Sequence, residues 1–214
     1  MVIASLLTIL QHLGFLPEAR LWIESAASQL RRRREELSRV DSIAERLASL
    51  LIDRHVLCQG DTPIGATAAE RWKAQINQNA RQAATASEQP NASHNEAVAW
   101  DCLNDLTLQR DAAVLLRHTY EDPRVSRRMD LLAHYLSGKI PVHTVRGEGD
   151  TRFAALMDLV MIGDFTSLHL AELNGVDPIP VPFISHTVKE GLAPPPRLKR
   201  LPASATIDSK VDGA

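Results

Sequence analysis

From Pro17 to about Ile52 the apolar positions Leu21, Ile23, Leu30, Leu37, Val40, Ile43, Leu47, Leu50 and Leu51 recur with the spacing of one helix face. That periodicity predicts one long helix or two. The charged run "RRRREEL" inside it reads as a solvated face rather than an anion site, because Glu35 and Glu36 follow Arg31 to Arg34 directly. Ahead of it, "MVIASLLTILQHLGFLPEAR" predicts a packed helix closed by a Gly-Phe-Leu-Pro turn. Past residue 52 short apolar runs alternate with longer amphipathic ones. "HVLCQG" (55–60), "DAAVLLRH" (111–118) and "IPVHTVRG" (140–147) read as buried strands, each followed by a segment of helical period. Asp122 before Pro123 and the pair Asp150 and Thr151 are predicted to cap two of those helices, and Gly138 and Gly175 to end them. Strands alternating with helices of this length imply a parallel sheet with helices on both faces, an open doubly wound α/β sandwich.

This pattern divides the chain into a helical connecting segment (1–52), an α/β domain (53–192) and a tail (193–214). The tail, rich in Pro, Ser and Lys and without apolar period, is expected to be disordered. Charge narrows the partners. Among 214 residues, 24 Lys and Arg stand against 26 Asp and Glu, so no basic face for nucleic acid is expected. The apolar run at the start is broken by His12, Gly14 and Pro17 well short of the roughly 20 residues that span a bilayer, and it lacks a basic leader and a cleavage site. No membrane partner is expected. Cys58 and Cys102 lie in apolar settings without metal-ligand spacing, which predicts buried free thiols in a reducing cytoplasm and no metal.

Open parallel sheets bind ligands beyond the carboxyl ends of their strands. The loop from Gly60 to Thr67 offers backbone amides there, but it has neither dinucleotide nor P-loop spacing and reads as an ordinary strand-to-helix turn. "INQNARQAATASEQPNASHNEAVAW" (76–100) is different. It sets His94, Asn95 and Glu96 at the start of a predicted helix, behind a helix dense in amides and bases: Arg71, Lys73, Gln75, Asn77, Gln78 and Asn79. On its own, His94 is either a proton carrier or a cap.

The runs "AAERWKAQINQNA … SHNEAVAW", "VLLRHTYEDPRVSRRMDL" and "RFAALMDLVMIGDFTSLHLAELNGVDPIPV" resemble the second sugar-isomerase (SIS) domain of the bifunctional phosphoglucose/phosphomannose isomerase family. The resemblance runs from about residue 5 to residue 190. It implies an SIS-like three-layer sandwich, with a parallel sheet of about four or five strands flanked by helices and a helical segment before it. It also implies interconversion of glucose 6-phosphate or mannose 6-phosphate with fructose 6-phosphate, without cofactor, by a cytoplasmic homodimer whose site lies between SIS domains. His94 takes the ring-opening role, and Lys189 is the nearest match to a site lysine. Arg71, Lys73, Asn95 and Glu96 are the substrate-binding candidates around them.

Two departures bear on activity. Where the family carries the glutamate base of Asn-Glu-Asn-Ala, sixteen residues before the histidine, this chain reads Asn77-Gln78-Asn79-Ala80. An amide does not accept a proton near neutral pH. The family's first SIS domain, with the Ser- and Thr-rich loops that hold the phosphate, should precede this region, whereas the chain begins with Met1 at the connecting helix. The chain alone is therefore expected to be weak or inactive, with a separately encoded first SIS domain as a partner. The alternative is a non-catalytic domain for sugar-phosphate binding or dimerisation.

Overall fold

The computed structural model describes residues 2–61, 63–100, 109–180 and 187. Lys189, Cys102 and the tail 193–214 lie outside the described residues. Residues 1–179 form one unit and 180–214 a second.

Three helices come first: α1 (Val2–His12), α2 (Ala19–Leu37) and α3 (Ile43–Leu51). The α/β part runs β1 (His55–Asp61), α4 (Ile64–Gln75), a π-helical turn (Ile76–Ala80), β2 (Ala84–Gln89) and α5 (Ala92–Ala99). It continues with β3 (Asp111–His118), α6 (Pro123–Ser137), β4 (Val142–Gly147) and α7 (Arg152–Leu173). The four strands form a parallel sheet in the order β2-β1-β3-β4. The sequence pattern located β1, β3 and β4; β2 it did not.

β3 is buried along its whole length, as a continuous apolar run in the middle of a sheet should be. One face packs Leu116, Val114, Val56 and Cys58 against α3, α4 and α7. The other packs Ala113 and Leu115 against Met129, Leu132 and Leu136 of α6. Full burial pushes the Cys58 thiol up to about 12, with the Glu70 charge adding to the rise, so it stays a protonated packing group.

α7 is long and apolar enough to cross a membrane by length and composition, yet half of that apolar window is buried. Its apolarity serves packing against α2, α3 and α4. At Gly163 the helix lies directly on the Trp72 ring, where a Cβ would come within 2.4 Å of Nε1, and that indole donates to the Leu159 carbonyl at 2.8 Å. Trp72 of the Arg-Trp-Lys run is thus a structural anchor.

Two expectations about the first helices need correction. α1 leans on α2 but is only partly packed: none of its residues is fully buried, and Val2, Ile3, Leu6 and Ile9 are all more than half exposed. The arginine run is not wholly solvated. Arg33 is buried because Asp158, fully buried on α7, faces it from across the helix interface. Asp158 accepts from Arg33 Nε at 2.8 Å and Nη2 at 2.9 Å, from Gln29 Nε2 at 3.1 Å and from the Glu148 backbone N–H at 2.8 Å. Glu36 and Glu148 complete the ion pairing of Arg33. The bond to Asp158 is the main cause that holds Arg33 firmly protonated, against the opposing effect of burial.

The local signals for helix ends hold. Asp122 accepts from the Arg124 N–H and Thr151 from the Ala154 N–H, each capping its helix, and Gly138 and the left-handed Gly175 follow the ends of α6 and α7.

Candidate functional site

The strand order reverses between β1 and β3, the position where parallel sheets usually leave a ligand crevice. Here the crevice is filled from within. Asp61 ends β1, His118 ends β3, and His118 Nε2 lies 2.7 Å from Asp61 Oδ1 with both side chains almost fully buried. His118 Nδ1 accepts the Tyr120 backbone N–H at 3.1 Å, so Nε2 carries the proton and donates it to the carboxylate. Asp61 also accepts from the Gly65 N–H. A Cβ on Gly60 would fall 2.2 Å from the Gly65 backbone, which leaves no room for a phosphate between them. The Gly60–Thr67 loop is a tight strand-to-helix turn, as its spacing predicted. Beside it Arg117 is buried in a fork with Glu121 and also reaches Asp130 and Ser126, sealing the start of α6. Neither pair was singled out in the sequence. The available signal was a polar residue closing each apolar strand, Asp61 in "CQGD" and Arg117 with His118 in "LLRH".

With the centre closed, accessible polar chemistry collects around α5. Buried Gln59 and Gln89, from β1 and β2, bond to one another at 3.3 Å. Gln59 donates to Glu96 at 3.2 Å and Ser93 donates to Gln89 at 2.5 Å. Ser93 and Glu96, three apart and on one helical face, therefore tie α5 to the sheet. His94 and Asn95 are left exposed. His94 faces a groove shared with α6, and its ring has no partner among the described residues. Asn95 and Glu96 line a separate groove toward α4, together with Glu70 and Glu88.

Gln78 lies elsewhere. Gln78 belongs to the π-helical turn, a local distortion that often marks functional positions. Its neighbours are committed to the fold: Asn77 brackets Ala84 through both its amide oxygen and nitrogen, and Asn79 donates to Ser167. Gln78 alone is exposed and without a partner among the described residues. This turn precedes β2, whereas α5 follows it. Six strand residues at about 3.3 Å each put Gln78 and His94 about 20 Å apart, at opposite ends of the sheet. Arg71 and Lys73 sit on the flank of α4, Arg71 paired with Asp164 of α7 at 3.2 Å and Lys73 with Glu70. The structure thus places His94, Asn95 and Glu96 on α5, with His94 in one groove and Asn95 and Glu96 in another that Lys73 borders through Glu70, and it sets Gln78 and Arg71 apart from them.

Comparison with known proteins agrees with the fold. Residues 40–190 match the family model of the bacterial phospho-glucose isomerase C-terminal SIS domain. The chain is 35% identical over 131 residues to the bifunctional phosphoglucose/phosphomannose isomerase of Aquifex aeolicus, covering 60% of this chain and 40% of that one. It is 31% identical over 156 residues to the enzyme of the same name from Caldicellulosiruptor bescii, covering 72% of this chain and 46% of that one. The chain thus spans less than half the length of these relatives. A crystal structure of a glucose-6-phosphate isomerase like protein from Thermus thermophilus superposes with a TM-score of 0.65 at 22% identity, over 78% of this chain and 57% of that one.

Proposed function

The chain belongs to the bacterial phospho-glucose isomerase C-terminal SIS domain family, and on that premise we propose that it supplies half of an aldose-ketose isomerase site for a hexose 6-phosphate. The observation that carries this reading is the placement of Gln78 and His94, both exposed, both without partners among the described residues, and at opposite ends of β2. Two such groups meet over one sugar only when different copies contribute them, so the site forms in a homodimer, with His94 of one copy facing position 78 of the other. His94 moves the proton that opens the pyranose ring. Position 78 is where a carboxylate would carry the proton between C2 and C1 through the enediol, and the amide of Gln78 does not do so. Asn95 and Glu96, next to His94 on α5 but facing the groove toward α4, and Arg71 and Lys73 on α4 are the further sugar-binding residues of this reading. Lys189 is retained as a further site residue on the resemblance alone.

The remaining sugar-phosphate loops come from a first SIS domain on a partner polypeptide. The exposed apolar face of α1, continuous with a 590 Å³ groove lined by Ile3, Ile23, Leu30, Phe153 and Met157, is the surface on which that domain docks. The alternative of a non-catalytic sugar-phosphate-binding domain is favoured by Gln78 itself. In a coupled assay the purified chain is expected to give no measurable conversion of glucose 6-phosphate or mannose 6-phosphate to fructose 6-phosphate. Turnover at an ordinary enzymatic rate, seconds or faster, contradicts the assignment of half a site.

A further inference from the structure

The two grooves that flank α5 differ in the charged residues described around them. Toward α4, Glu70, Glu88 and Glu96 line a space of 350 Å³, a setting that repels an anion. Toward α6, a groove of 460 Å³ is lined by no carboxylate among the described residues. It carries Ser93, His94 and Arg128 over an apolar floor of Val98, Leu131 and Tyr135. That volume and lining, mostly apolar with a few convergent polar groups, are those of a small-molecule site. The Arg128 guanidinium has no ion pair or hydrogen bond among the described residues, so its donors are available. Asp130, the nearest acid in sequence on the same helix, is held by Arg117 at 2.7 Å.

We infer that the α5–α6 groove is a binding site for a phosphate monoester, with Arg128 gripping the phosphoryl oxygens and His94 beside it. A guanidinium fork matches phosphate geometry through two parallel N–H···O bonds, and Arg128, with no carboxylate partner among the described residues, keeps its attraction for a dianion. In a hexose 6-phosphate the ring oxygen lies a few bonds from the phosphoryl group, and Arg128 and His94 line one groove together with Tyr135 and Leu131. The identity of the ester rests on the isomerase reading; the anion site does not. Arg128 is thereby a binding residue and no participant in proton transfer.

The test is a titration of the isotopically labelled full chain, at constant ionic strength, with inorganic phosphate, glucose 6-phosphate and glucose, followed by NMR. Phosphate and glucose 6-phosphate are expected to give saturable, millimolar-range shifts at His94 and Arg128, and glucose none. R128Q should weaken both by at least about fivefold, the loss of a bidentate charged contact. R127Q, which removes the same charge from an exposed position outside the groove, should leave them unchanged. Wild-type shifts that fail to saturate at tens of millimolar phosphate, an equal response to glucose, or an equal weakening by R127Q overturn the proposal. If R128Q does not fold, the wild-type titration still decides. A flat titration leaves the isomerase reading standing, with phosphate held by the partner domain alone; a failure of the isomerase reading leaves a saturable anion site in place.

Discussion

Gln78→Glu is expected to raise isomerisation of glucose 6-phosphate by about a hundredfold to ten-thousandfold when a first SIS domain is present, the range associated with a positioned general base. The substitution is nearly isosteric. Position 78 is exposed and bonded to nothing described, while Asn77 and Asn79 hold the turn in place through Ala84 and Ser167. The new carboxylate would therefore arrive on an unaltered backbone, and stability should change by no more than about 0.5 kcal/mol, as for other surface changes. The gain should appear in kcat with little change in KM, because a base acts in the transition state and adds little to ground-state binding. No rise in kcat would mean that a second feature of the site, beyond the amide, has been lost.

The largest effect on stability is expected from Asp158→Ala. The carboxylate accepts four hydrogen bonds, three from α2 and one from the β4–α7 loop, and it is fully buried. Removing it leaves the Arg33 guanidinium buried without its principal partner, which costs about 3–5 kcal/mol. That is a large part of the roughly 5–15 kcal/mol that separates a folded domain from its unfolded chain. Urea unfolding should show the midpoint falling in proportion. Replacing both partners by apolar residues of similar volume, as in Arg33→Met with Asp158→Leu, should recover most of the loss, because the penalty lies in the stranded charge. A loss below about 1 kcal/mol for Asp158→Ala would mean that α2 is held to α7 by apolar packing alone.

Much of the α/β architecture was legible in the chain, because the strands at its centre are buried on both sides. "DAAVLLRH" reads as a strand since a fully buried central strand needs no polar alternation, and its limits Asp111–His118 agree with the reading. Helix ends were legible through local chemistry: Asp122 before Pro123, Thr151, and glycine after the last turn. β2 was not. "ATASEQ" lies at the sheet edge with only Ala84 and Gln89 buried, so it carries neither an apolar run nor alternation. Missing that strand hid the distance it imposes between Gln78 and His94, two residues only sixteen apart in sequence. Arg33 and the Asp61–His118 pair were hidden for another reason. Burial of a charged group is decided by a partner far along the chain, 125 residues away for Asp158 and 57 for Asp61, and no local pattern announces it. For Arg128, the signal lies in the groove between α5 and α6, with no carboxylate among the described residues that line it, which only the packed helices reveal.

The division of the site between copies can be tested directly by mixing two defective chains, with a first SIS domain from a family relative present in every arm. One chain carries Gln78→Glu together with His94→Asn and so has a base but no ring-opening histidine. The other is the natural chain, with the histidine but no base. Each alone is expected to be inactive, and mixing them should restore turnover, because a heterodimer contains one site with the introduced carboxylate at position 78 of one copy and His94 of the other. If position 78 and His94 of the same chain form the site, no dimer in the mixture has both groups where they are needed, and the mixture will be as inactive as its components.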